Sequence, residues 1–321
     1  MKTKRLIYPC TLFSLMLVTI LIACHIEEIN DCLPSPENER IPVVFAPKLE
    51  IEPQTKVGGN NGSSWTKGDP VGVYMTKHGS TLDATTILGQ ADNVLYKADK
   101  DGSSVTLLPD GDTIYYPVSE KVDFVLYYPY QAGISDFKYA VDLKDQTNQA
   151  NLDLVYAHET KGFSRSDKAL VPVTFYHQLA KIEFFVGKGT GITSLANLKI
   201  SIRNMAAKTS FNLSTGKLLD TGVGGSDTIE TYVTTHQTDS MKAEAIVLPI
   251  ADLSATPVML HFQVDTLTYE APLPFESTQI ALTAGMRYRY VVALSEIGVG
   301  LTGTLHPWED ERGGTIHPTP P

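Results

Sequence analysis

Apolar and polar side chains alternate every second residue along much of this chain. Ile41, Val43, Phe45, Leu49 and Ile51 share one parity, while Lys48, Glu50 and Glu52 take the other. That pattern predicts a strand with one buried face, interrupted at Pro47. The same period runs through Val122, Phe124, Leu126, Tyr128 and Tyr130, through Leu198, Ile200 and Ile202, and through Val258, Leu260, Phe262 and Val264. It returns in Met286, Tyr288, Tyr290, Val292 and Leu294. Between Val171 and Phe184 the parity changes. Val171, Val173, Phe175 and Leu179 are odd but Ala180, Ile182 and Phe184 are even, which requires a bulge or a strand that crosses between sheets. Turn-forming clusters separate the runs, as at Gly58–Gly62, Asp101-Gly102, Asp110–Asp112, Gly187–Gly191 and Gly222–Asp227. No segment sustains a 3.6-residue stripe long enough for a major helix. The pattern predicts an all-β protein built as two tandem antiparallel β-sandwiches, divided near the polar stretch Lys161–Lys168.

The first residues read differently. Lys2, Lys4 and Arg5 precede an apolar run from Leu6 to Ala23, which ends in Leu21-Ile22-Ala23-Cys24. A basic start, an apolar middle and small residues before the cut describe a secretory signal. A cysteine directly after Leu-x-Ala resembles the lipobox of bacterial lipoproteins, in which that thiol is acylated and becomes the new N-terminus. His25-Ile26-Glu27-Glu28 resembles the export signal of surface lipoproteins in Bacteroides-type bacteria. The competing reading is an uncleaved membrane anchor, since the run approaches spanning length. We expect a signal peptide over residues 1–23 and an acylated tether over 24–40, anchored in the outer membrane through the lipid on Cys24. The two sandwich domains then cover 41–165 and 166–321.

Composition narrows the function. The chain is 42% hydrophobic and 19% charged, enough apolar material for a core and too little charge for a disordered chain. Its net charge of −10, with no basic cluster after Arg5, argues against a nucleic-acid partner. Three cysteines cannot make a disulfide framework, and Cys10 is lost with the signal. Motifs of serine hydrolases, zinc proteases and P-loop enzymes do not occur. Gly187-Lys188-Gly189-Thr190-Gly191 lacks P-loop spacing and reads as a hairpin loop. Asp99-Lys100-Asp101-Gly102 begins like a calcium loop without its later glutamate, so no metal is expected. His177 lies at a buried parity, with no second histidine or acid spaced to join it, and reads as a core histidine. No cofactor and no catalytic residues are expected.

Several phrases resemble the Bacteroidales fimbrillin family of type V pilins. They are Trp65-Thr66-Lys67-Gly68-Asp69-Pro70-Val71-Gly72-Val73-Tyr74, then Tyr116-Pro117 with Val122-Asp123-Phe124, and Tyr127-Tyr128-Pro129-Tyr130. Asp153–Ala157, Phe175-Tyr176-His177-Gln178-Leu179-Ala180-Lys181-Ile182, Leu248-Pro249, Ala284-Gly285 with Tyr288 and Tyr290, and Trp308 follow in the family's order. The resemblance implies two transthyretin-like β-sandwich domains, export as a lipoprotein, and assembly with other subunits into surface fimbriae that serve adhesion to host or bacterial ligands. It also implies that a trypsin-like protease removes the N-terminal strand and that a C-terminal strand of a neighbour fills the vacated groove. Where the family places Thr-Arg-Ala, this chain has Thr55-Lys56-Val57, so the cut falls after Lys56 by a lysine-specific enzyme, or after Arg40, or not at all.

The strand Ile41–Ile51 offers the groove five alternating apolar side chains, each worth about 1.5–3 kcal/mol when buried. Ile297, Val299, Leu301 and Leu305, with small residues opposite, make one candidate donor strand; Gly314–Pro321 is the other. The run could equally serve as the ordinary last strand of the second domain. A non-polymerising surface lipoprotein that binds glycans through exposed Tyr and Trp is the alternative function.

Overall fold

The computed structural model describes residues 40–49, 64–167, 170–220, 225–254, 258–273, 281–296 and 298–307. The first eight strands are β1 (Phe45–Leu49), β2 (Pro70–Lys77), β3 (Val94–Ala98), β4 (Leu107–Pro109), β5 (Val122–Tyr128), β6 (Lys138–Asp142), β7 (Val155–Phe163) and β8 (Val171–His177). All but β6 close into a barrel in the order β1-β4-β3-β2-β5-β7-β8. Closure rests on β1, which lies antiparallel to β4 and parallel to β8. Seven strands of this half of the chain thus form one closed, barrel-like sheet. The polar stretch expected to divide the chain starts within the end of β7, which pairs with β8 in the same barrel.

The remaining strands are β9 (Ala180–Lys188), β10 (Lys199–Met205), β11 (Lys208–Asn212), β12 (Lys217–Leu218), β13 (Asp227–Glu230), β14 (Tyr232–His236) and β15 (Ser240–Val247). They continue with β16 (Met259–Val264), β17 (Leu267–Pro272), β18 (Met286–Ser295) and β19 (Gly298–Pro307). The sheet β13-β10-β16-β17 and the sheet β14-β15-β9-β18-β19 share one core, to which Ile200, Ile202, Leu260 and Phe262 come from the first and Ile182, Phe184, Tyr288 and Tyr290 from the second. The parity change noted in the sequence is the passage from β8 in the barrel to β9 in the five-stranded sheet, with Leu179 buried at the turn. Among the described residues the one α-helix, α1 (Gln149–Leu152), has four residues.

A third sheet, β6-β11-β12, joins the two parts, because β6 comes from the barrel's sequence and β11 from beyond it. It explains why β5 is buried at every position. Phe124 faces the barrel's aromatic interior, whereas Val125 and Tyr127 belong to a second core with Tyr139, Val141 and Phe211. Gly72, opposite Tyr127, makes that packing possible. A Cβ at Gly72 would fall 2.2 Å from the Tyr127 ring, which is held by donation from its hydroxyl to Asn93 Oδ1 at 2.6 Å. Gly72→Ala is therefore expected to cost about 1–3 kcal/mol by overpacking. Gly298→Ala, whose Cβ would meet nothing within 4 Å, is expected to change urea-unfolding midpoints little.

Candidate functional site

The seam of the barrel is the candidate site. Five consecutive residues of β1, Phe45 to Leu49, align in parallel with Val171 to Phe175 of β8. On the other side a single pair, Phe45 with Leu107, joins β1 to the short β4. The strand is thus held firmly along one edge and lightly along the other. Ahead of it, Val43 donates its N–H to Ile114 O at 2.9 Å, and Val44 O accepts from Val171 N at 2.9 Å.

The odd residues turn inward as their parity predicts. Val43 and Phe45 are wholly buried, Pro47 is buried, and Lys48 is exposed. The Phe45 ring meets Tyr96 and Phe124 edge-on, with centroids 5.3 and 5.1 Å apart. Such contacts add to the area term of burying a large ring. Tyr96 also donates its hydroxyl to Val43 O at 3.0 Å. Burial raises the Tyr96 pKa well above the ordinary tyrosine value, so this donor keeps its proton across the physiological range. Without the strand, Val171, Val173, Phe175 and Leu107 lose their cover.

Other predicted residues fall as follows. Ile41 is half-buried and Arg40 exposed. Leu49 ends β1, but its side chain, like Cys24, Ile51, Lys56 and Ile297, lies outside what the structure describes. Val299 and Leu301 are partly buried against the core shared by the four- and five-stranded sheets, within a ten-pair antiparallel ladder between β19 and β18. Leu305 pairs with Tyr288 in that ladder. In this structure the candidate donor is the edge strand of its own sheet. Trp65 is 1% exposed, packed edge-on against Tyr128 and Phe175, so it offers no platform for a glycan. The backbone of the Gly187–Gly191 loop is tied to β18 through Gly189 N donating to Leu294 O at 2.6 Å.

Three buried polar centres were not legible in the sequence. His177 has an acid partner after all, Asp153, whose Oδ1 lies 2.5 Å from His177 Nδ1. The partner is distant in sequence because pairing of Val155 with His177 brings the start of β7 beside the end of β8. Asp123 accepts from Gly79 N and Gly162 N and meets His78 Nδ1 at 2.9 Å, tying the ends of β2 and β7. On β9, Glu183 accepts from Arg289 Nε at 2.8 Å, with Lys242 at 3.7 Å and Arg287 at 3.8 Å. Beside it Lys181 pairs with Glu244 at 3.1 Å. Lys181 and Glu183 alternate with the apolar Ile182 and Phe184, but nothing local names their partners on β15 and β18. Among the described residues no group of three or more His, Cys, Asp or Glu could hold a metal ion.

The family profile described as fimbrillin-like matches residues 55–308. The chain belongs to the fimbrillin-like family. That family consists of structural subunits of fimbriae, appendages of the cell surface, and membership makes this chain such a subunit. A Bacteroides uniformis protein named "Putative fimbrium subunit Fim1C" is 32% identical over 262 residues, 78% of this chain and 81% of that protein. A crystal structure described as a "putative cell adhesion protein", also from Bacteroides uniformis, is similar at 26% identity with a TM-score of 0.68, over 86% of this fimbrillin-like chain and 100% of that one. A protein of Bacteroides ovatus shares the fold, at 20% identity and a TM-score of 0.66, over 85% of this chain and 100% of that one.

Two outcomes follow from the site. Phe45→Ala should destabilise the chain by about 3–5 kcal/mol in urea unfolding, and Lys48→Ala by less than about 0.5 kcal/mol. Burial alone would raise the Glu183 pKa, but Lys242, Arg289, Arg287 and Lys181 outweigh it and hold the carboxyl below the ordinary value of 4.5. A depressed folded-state pKa contributes stability above the unfolded value and loses it as pH falls through the folded one. Glu183→Gln should therefore cost about 3 kcal/mol at neutral pH. The gap between variant and parent should shrink as the pH drops below 4.5.

Proposed function

We propose that this fimbrial subunit is a lipid-anchored precursor that polymerises by strand exchange once β1 is removed, and that the resulting fimbria serves adhesion. The lipid sits on Cys24 and holds the precursor in the outer membrane. The observation that carries the reading is the seam itself. A strand with buried Val43, Phe45 and Pro47, a full ladder on one side and a single pair on the other, is separable without disturbing any other strand order.

The site of cutting follows from where the plug ends. A cut after Arg40 leaves residues 41–49 joined to the barrel, so the plug stays seated. Lys56 is the one basic residue between Leu49 and Trp65, and a cut there severs β1 from the barrel. The activating enzyme in this reading is therefore a lysine-cleaving endopeptidase. The replacement strand comes from the C-terminal part of another subunit, with Val299, Leu301 and Leu305 in the role of Val43, Phe45 and Leu49. Gly314–Pro321 is the alternative donor. The subunit is read as two tandem transthyretin-like units, the first closed by its plug. In this reading the first unit extends from the expected 41–165 through His177, which keeps β8 with its partners β1 and β7.

Treatment of the secreted chain with a lysine-specific endopeptidase should yield SDS-resistant ladders. Lys56→Ala should abolish them and Arg40→Ala should not. Lys56→Arg should transfer activation to an arginine-specific enzyme. Clean cleavage at Lys56 that leaves only compact monomers would refute polymerisation and favour a solitary ligand-binding lipoprotein.

A further inference from the structure

Successive backbone amides of a strand point to opposite edges, so the donors of β8 can be followed one by one. Val171 N donates to Val44 O at 2.9 Å, which sets the amides of Val171, Val173 and Phe175 toward β1. Those of Thr174, Tyr176 and Gln178 then face β7, and Pro172 lies on that same edge. There the ladder is short. Val155 pairs with His177 and Tyr156 with Tyr176, and Gln178 N donates to Leu154 O at 2.9 Å. Continued, the register would set Thr174 against His158 and Pro172 against Thr160, but among the described residues the pairing stops at Tyr176. Pro172 has no N–H to offer a ladder in any case.

Thr174 N instead donates to Glu159 Oε1, at 2.9 Å. Glu159 is buried, and its own backbone pairs with Phe124 of β5. The carboxyl group therefore stands where a strand carbonyl would, and ties β8 to the β5–β7 pair at the point where β7 gives no ladder. Its other oxygen lies 3.5 Å from Nζ of the exposed Lys161, a surface contact that adds little.

We propose that Glu159 is a positioning residue for strand exchange, holding β8 in the barrel while the groove beside it is empty. The inference rests on the strand-exchange reading. With β1 seated, β8 has five pairs along one edge and the bond to Glu159 is one tie among several. Once β1 leaves, residues 171–175 keep no ladder pair, and the Thr174 amide stays fixed to Glu159. The amides of Val171, Val173 and Phe175 then already point into the groove, so an incoming strand meets a template that need not be ordered during binding.

Hydrogen exchange of the full, uncut chain, in urea below the unfolding transition, separates the two edges of β8. The amides of Val171, Val173 and Phe175 should open together with β1, and Thr174 should exchange more slowly than they do. Glu159→Ala should speed exchange at Thr174 by about ten- to a hundredfold, the worth of one hydrogen bond to a charged group. Glu159→Gln keeps an acceptor oxygen and should restore most of the protection. After cleavage at Lys56, capture of a labelled peptide of residues 41–51 should be about tenfold slower for Glu159→Ala and near the parent rate for Glu159→Gln. If Glu159→Ala does not fold, Glu159→Asp, one methylene short of Thr174, is read in the same two ways. Thr174 opening together with Val173 in the parent would overturn the proposal. So would Glu159→Gln as damaging as Glu159→Ala, which would assign the effect to charge, or equal capture rates in all three chains. A parent that keeps Thr174 protected but takes up no peptide would contradict exchange itself, and would leave Glu159 a purely structural tie.

Discussion

Everything in the barrel depends on one strand filling a seam that its neighbours cannot close. β4 has three residues and meets β1 at one pair, so β4 and β8 have no ladder to offer each other without β1 between them. The Phe45 side chain then occupies the space between Tyr96 and Phe124. Interior packing tolerates no void of that size, because the lining side chains would lose contacts that water in an apolar space does not restore. The barrel must therefore hold a strand there, but nothing in the geometry demands that the strand be its own. Chain identity matters less than the alternation of inward side chains and the backbone ladder on β8.

The rest of the molecule resists such exchange. The sheet β6-β11-β12 unites strands from both parts of the sequence, and a shared core of Tyr127, Tyr139, Val141, Phe211, Ile246 and Leu248 lies beneath it. Gln146 adds a side-chain imitation of strand pairing, donating to Ile246 O at 3.0 Å and accepting from Ile246 N at 2.8 Å. A structural subunit gains from this division of labour. In the proposed exchange one strand leaves, while the remaining sheets are cross-tied by backbone pairing, buried aromatics and satisfied polar groups.

The strands were legible because burial on one face writes itself as a period of two. Val258–Val264 and Met286–Leu294 show it cleanly, and the parity change after Leu179, read as a bulge or a crossing, is the crossing from barrel to sheet. Barrel closure was not legible, since the parallel register of Phe45 on Val171 joins residues 126 positions apart and leaves no local mark. Nor was the Asp153–His177 pair, or the gathering of Lys242, Arg287 and Arg289 on Glu183, because each is assembled by strand order and not by spacing. Trp65 illustrates the opposite error. Aromatic content suggested exposed platforms, yet this ring is spent on the packing of Tyr128 and Phe175.

The central claim is that β8 needs a strand at its open edge and accepts one from outside. Hydrogen exchange at Val171, Val173 and Phe175, in a chain that begins after Lys56, reads that edge directly. The account predicts rapid exchange at these amides in the truncated chain, and renewed protection when a peptide of residues 41–51 is added. Amides that stay protected with β1 gone and no peptide present would contradict it.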